Sequence, residues 1–217
     1  MPRKTTTAAT SAAARPLYRV HSGVLMLIKW ERELKDKTGR SLDEWSRFLN
    51  KQCKDLDRAA RIAFLKNEHG IGSNSAWWLA DRSLGELHPW DSTEDGYLAR
   101  CPELVDAQFA GAKAHLRPIG DALLDLCRTC GPDVGISPCE TIIPAYRTHV
   151  FAQVSVPNRK VVRLSLALKG DKFTTRLVDT GGTAKKDRLT HRVDIASIAE
   201  IDRTVESAII RAYGPDS

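Results

Sequence analysis

The sequence has no long apolar run. Its longest, Val-Leu-Met-Leu-Ile at Val24–Ile28, falls far short of the roughly 20 residues of a membrane-spanning helix, which argues against a membrane protein. Cysteine is scarce, five in 217 residues, odd in number and irregular in spacing. A disulfide framework is thereby disfavoured, and a reducing, cytoplasmic setting is expected. No acidic pair, serine elbow or phosphate-binding glycine loop accompanies the candidate site residues Arg147, His149, His191 and Arg192, so an enzyme using Cys139 or His191 is the least supported reading. The stretch Met1–Pro16 has no acidic residue and no large apolar residue beyond Met1. It lacks the makings of an amphipathic targeting helix and reads as a disordered basic arm over residues 1–17.

What is present is ordinary for a soluble globular protein: 42% hydrophobic and 28% charged residues, on a chain long enough to bury a sizeable core. The formal net charge is +6, unevenly placed. Residues 1–90 carry 16 Lys+Arg against 10 Asp+Glu, and residues 91–217 carry 17 against 17. The surplus belongs to the N-terminal part, where a basic arm adds salt-sensitive attraction to phosphate.

Apolar periodicity divides the chain into two units. Ser22 opens a helix through Val24, Leu27, Ile28 and Leu34. Ser41 and Glu44 form a capping box for a second. A third spans about Leu56–Glu68 and breaks at His69–Asn74, and Ser73 or Asn74 caps a fourth. These make a helical domain over 18–82, with 83–102 as a linker. Residues 103–217 differ. A helix from Glu103 carries Phe109, Ala112 and Leu116, with a kink or restart at Pro118 and a stop at Gly131–Pro132. The period then becomes two. Val150–Val156 and Val162–Leu168 alternate as strands joined by a hairpin, a weaker strand covers Thr174–Val178, and Leu189–Ile195 is the last. Ser197 with Glu200 is a second capping box, before a closing helix striped by Ile198, Ile201, Val205 and Ile209. The expected class is α+β: a small N-terminal helical domain, then an antiparallel sheet packed against helices.

Three cysteines fall within Cys127–Cys139. Leu116, Ile119, Leu123, Cys127 and Cys130 recur at helical steps, so both thiols of the CxxC lie on the stripe that should face the sheet. A redox CxxC uses a helix N-terminus to stabilise its thiolate; this pair sits at a C-terminus, where the dipole has the wrong sign. Zinc would need Cys139 and a fourth ligand such as His149, His115 or Cys101, with no second CxxC or HxxxH to help. The expectation is packing, with no metal and no cofactor.

Arg147, His149, His191 and Arg192 sit on predicted strands. If neighbouring strands bring them together, they suit a phosphate or carboxylate. Strand parity opposes this by placing His191 among apolar neighbours and Arg192 on the other face. The glycine-containing segment Gly170–Arg188 matches no phosphate fingerprint and reads as a flexible, solvated connection. Residues 63–82 look like a helix–turn–helix, but the candidate reading helix carries no Arg or Lys before Arg82.

The segments KTGRSLDEW, FLKNEHGIGSNSAWWLADR, GPDVGISPCETIIPAYRTHVFAQV and DTGGTAKKDRLTHRV together resemble a mostly bacterial two-module family. It joins an N-terminal helical domain to a C-terminal domain, both of unknown function, and is sometimes labelled a predicted transport protein. The resemblance implies architecture and brings no reaction, ligand or catalytic residue. It draws attention to Cys139, a cysteine seen at this place in the family and the one candidate for a reactive thiol. The functional expectation is a non-enzymatic binding or interaction module whose α+β domain takes an anionic small molecule or a protein partner. The alternative is DNA binding through the helical module and basic arm.

Overall fold

Helix-start and helix-stop chemistry builds the N-terminal unit. The computed structural model describes residues 17–86 and 93–214, so the expected arm, Leu17 apart, lies outside the described residues. Four helices come first: α1 (Ser22–Thr38), α2 (Leu42–Gln52), α3 (Arg58–His69) and α4 (Ser73–Ser83). The capping box at Ser41 and Glu44 forms as expected. The cap of α1 is His21, not Ser22, because the imidazole Nδ1 accepts the Gly23 N–H at 2.9 Å. Gly70 closes α3 at φ 63, a left-handed conformation that glycine adopts without steric cost. Gly72 precedes α4 without a side-chain cap, so neither Ser73 nor Asn74 caps it. Leu34, Trp45, Leu49, Leu65 and Leu79 meet in one buried cluster between these helices.

Where a linker is expected over 83–102, the structure has helix α5 (Glu94–Gln108). The Thr93 hydroxyl caps it by accepting the Gly96 N–H, and Tyr97, Cys101 and Val105 form a buried stripe at four-residue steps. The Thr-Glu-Asp-Gly sequence at Thr93–Gly96, read as part of the loop, is a cap and a first turn. A 3₁₀ turn at Gly111–Leu116 leads into α6 (Arg117–Thr129), which has Pro118 in its first turn. Val24 of α1 packs with Tyr97 and Cys101, joining the two halves of the chain.

Six strands follow: β1 (Gly135–Ile136), β2 (Ile143–Tyr146), β3 (Val150–Ser155), β4 (Val162–Leu166), β5 (Val178–Asp179) and β6 (His191–Ile195), with α7 (Arg203–Tyr213) last. All pairings are antiparallel, in the order β1-β2-β3-β4-β6-β5. The architecture is α+β, as the change of period implies. Ala145 pairs with Ala152 and Tyr146 with Val150. Phe151 is left as a bulge residue, and it and Ala152 are both buried. Helices α6 and α7 cover the apolar face, where Leu116, Ile119, Leu123 and Cys127 meet Val154, Leu164, Val193 and Val205.

Two boundaries differ from expectation. Thr174–Leu177 is a turn, with the Thr174 hydroxyl accepting two backbone N–H groups, so the weak strand is only Val178–Asp179. Ser197–Glu200 does not open the closing helix: Ile198–Glu200 is a 3₁₀ turn, and Asp202 caps α7 by accepting the Thr204 and Val205 N–H groups. No helix among the described residues is long and apolar enough to cross a membrane.

The chain before α1 lies along the free edge of β1. Arg19 N–H donates to the Ile136 carbonyl at 2.8 Å, and the Ser137 hydroxyl donates to the Arg19 carbonyl. His21 then links α1 to β2, its Nε2 lying 3.0 Å from the Tyr146 hydroxyl. With Nδ1 committed as an acceptor, the neutral ring carries its proton on Nε2. Burial holds the His21 pKa below its ordinary 6.5. The folded state therefore takes up its proton later than the unfolded state, and this contribution is complete above about pH 6.5 and lost as pH falls below it. Protonation at Nδ1 also removes the cap, an interaction worth about 1 kcal/mol. Urea midpoints at pH 7.5 and 5.5 should show a loss of stability for the wild type that His21→Asn, a cap without a titrating ring, largely abolishes. An equal loss in both proteins would assign the effect elsewhere.

Candidate functional site

A candidate site lies at one end of the sheet. A cleft of about 540 Å³ opens between the end of β4 with its following loop, the loop before β6, and the C-terminus of α7. Its walls carry four cationic side chains, Lys169, Lys186, Arg188 and Arg211, against two carboxylates, Asp171 and Asp187. Arg211 pairs with Asp171 at 3.0 Å. Lys169 and Lys186 have no ion-pair partner among the described residues. Cations in a concave site reinforce one another's field toward an incoming anion.

The segment before β6 is largely exposed, as a solvated connection implies, and its wall of the cleft is held by specific bonds. The Thr180 hydroxyl donates to the Leu189 carbonyl at 2.6 Å and accepts the Gly182 N–H at 2.9 Å, while Thr180 N–H donates to the Thr190 carbonyl. A Cβ at Gly182 would stand 2.6 Å from the Leu189 carbonyl oxygen, so only glycine fits. A 3₁₀ turn over Thr183–Lys185 follows, and Lys186 adopts φ 57, the one non-glycine residue with positive φ among the described residues. A lysine held in that conformation costs about 1 kcal/mol or more, a type of strain concentrated at functional sites.

The four residues expected to cluster are distributed over separate places. Arg147 donates from Nε to Asp133 at 2.8 Å and from Nη1 to the Gly214 carbonyl at 3.3 Å, with its guanidinium over the Tyr213 ring. The Tyr213 hydroxyl, then Arg147, hold the Asp133 pKa below the usual carboxylate range. Arg147 thus fixes the end of α7, where Gly214 lines the cleft. His149 is exposed, and its carbonyl accepts the Arg147 N–H. His191 is 1% exposed on the apolar side of β6. Its Nδ1 lies 2.9 Å from the hydroxyl of Thr190, a cleft residue, and Phe173 covers its ring with centroids 4.4 Å apart. Arg192 alternates to the opposite face of the strand, in register with Ser165 and Val178. The cationic residues of the cleft went unread in the sequence because Lys169, Lys186, Arg188 and Arg211 come from three segments. The Lys185–Lys186…Arg188 run was the available signal.

A family profile described as a domain of unknown function, DUF5655, matches residues 105–214, just over half of the chain. The chain belongs to the DUF5655 family. Its description names neither a transport activity nor an N-terminal module. No curated protein and no solved structure shows significant similarity to the chain. The matched segment contains the sheet, α6, α7 and every residue of the cleft, so the cleft is a feature of the DUF5655 unit.

The thiols of that unit are placed for packing. Cys127 is fully buried in the core, and burial pushes its pKa up. Cys130, half-buried, donates to the Leu126 carbonyl at 3.4 Å. All five cysteines are free thiols. For Cys139, the one candidate for a reactive thiol, burial, helped by Cys101 and Glu140, pushes the pKa up to about 12, which opposes thiolate formation at neutral pH. At pH 7.5 iodoacetamide should label Cys139 more than about tenfold more slowly than free cysteine. Labelling as fast as the free amino acid would restore the reactive-thiol reading.

On the helical unit, the exposed start of α4 presents Ser73, Asn74 and Trp77. Arg58 from α3 lies over the Trp77 ring and pairs with Asp81. The Arg58 guanidinium is thereby engaged with carboxylate and indole.

Proposed function

We propose that this protein is a non-enzymatic binding module, working in the cytoplasm, whose DUF5655 unit holds a small anionic molecule in the cleft at the end of the sheet. One observation carries the reading: a cleft of about 540 Å³ with four cations against two carboxylates. That volume is in the range of small-molecule sites, roughly 300–1,000 Å³. The strained Lys186 and the hydrogen-bonded loop behind it support the reading, since a preformed wall lowers the entropy cost of capture. Arg147 and His191 support the site from outside, the first through Gly214 and the second through Thr190.

Thermal shift on the full chain tests this, because a molecule that binds the folded state raises Tm by mass action. Inorganic phosphate, citrate and ribose 5-phosphate should raise Tm at low salt, and choline should not. The shift should shrink several-fold between 50 and 200 mM salt as ions screen the cleft. Lys186→Gly removes the ammonium while permitting the left-handed backbone; it should cut the anion response, and Lys169→Ala should do the same. Anions that leave Tm unchanged, or shifts indifferent to both variants, would overturn the proposal.

A further inference from the structure

We infer that the anion taken by the cleft is the phosphate of a nucleoside monophosphate, with Phe173 as the stacking platform for its base. The inference rests on the anion-binding reading and goes further, from charge to ligand class. Phe173 is 46% exposed, a large apolar ring open in part to solvent. It is not a loose side chain. Its ring lies 4.4 Å from the His191 ring at 35°, and His191, 1% exposed, is held at Nδ1 by Thr190. One face of Phe173 is thus backed by a fixed ring.

Phe173 does not itself line the cleft but stands next to residues that do. Thr190, which holds His191, lines the cleft, and so does Asp171, two residues before Phe173. An exposed aromatic beside a basic groove is the combination that binds nucleotides without base readout: cations take the phosphate and the ring takes the base. The remaining lining fits the sugar between them. The Thr183 hydroxyl donates or accepts, and the Asp187 carboxylate accepts from ribose hydroxyls; both line the cleft. Asp171 is paired with Arg211, and a nucleotide gives the Asp187 carboxylate, which a bare inorganic anion would meet as repulsion, a hydrogen-bonding role.

Isothermal titration of the full chain with AMP, GMP, CMP, UMP, ribose 5-phosphate and inorganic phosphate tests this. At least one nucleoside monophosphate should bind about tenfold tighter than ribose 5-phosphate, the scale of one base–aromatic stack. Phe173→Ala should erase that advantage and leave ribose 5-phosphate affinity unchanged; the side chain is half exposed, so its loss does not open the core. Lys186→Gly should weaken nucleotide and sugar phosphate alike. Ribose 5-phosphate binding as tightly as all four nucleotides, or a nucleotide preference that survives Phe173→Ala, would overturn the inference and leave anion binding intact. Absence of binding by every phosphate would overturn both.

Discussion

Trp45→Ala should lower the unfolding free energy by about 3–5 kcal/mol, the range for removing a large aromatic from a packed core. Trp45 is 1% exposed at the centre of the helical unit, among Leu34, Leu49, Leu65 and Leu79. Its indole N–H donates to the Thr38 hydroxyl at 2.8 Å, and that hydroxyl donates to the Leu34 carbonyl, tying α2 to the end of α1. Phe48 and His69 pack edge-on against the ring, and Arg40 lies over it. The substitution removes the hydrophobic body, orphans part of the hydrogen-bond chain and leaves the aromatic cluster without its centre. Urea unfolding followed by circular dichroism measures the loss, and a change under 1 kcal/mol would refute this account of the core. The cleft draws on a separate buried cluster, so its anion response should persist at temperatures where the variant is folded.

The second large effect concerns the CxxC. Cys127→Asp should destabilise by about 3–5 kcal/mol, the cost of a buried charge without compensation, while Cys127→Ala should cost only about 1 kcal/mol. The reason is position: Cys127 lies on the α6 stripe with Leu123, fully buried within the α+β core. Burial raises the pKa of a carboxyl there above its unfolded value near 3.9. The sign follows: the unfolded state ionises first, so the penalty is smallest below about pH 4 and grows as pH rises toward the folded pKa. Denaturation of both variants at pH 4 and pH 7.5 checks the magnitude and the slope. Equal stability of the Asp and Ala variants at pH 7.5 would mean that the thiol does not face the core. Ligand-induced Tm shifts should be the same in Cys127→Ala and wild type, since a packing thiol takes no part in binding.

Much of the fold was legible because burial imposes period on sequence. The alternation in Val162–Leu168 and Leu189–Ile195 gave two central strands, and three- and four-residue steps from Leu116 to Cys130 gave the inward face of α6. Helix starts were less legible. Several polar residues near a start can each offer an oxygen, and tertiary contacts choose among them: His21 over Ser22, Asp202 over Ser197. The segment Asp91–Gly96 read as linker because its composition is turn-like, yet Tyr97 and Cys101 had a buried partner in Val24, far away in sequence.

The sequence by itself determined the class, since two periods on one chain dictate helices and a sheet that must bury their apolar sides together. It also set parity, hence the inward His191 and the outward Arg192. Only the tertiary structure decided where the charges meet. Lys169, Lys186 and Arg211 belong to segments whose local patterns carry no trace of one another, and the antiparallel order β4-β6 with α7 folded back brings them to one cleft. Periodicity records which side of an element is buried, whereas a site is a meeting of chain ends, fixed by strand order and loop geometry that hydrophobic pattern does not encode.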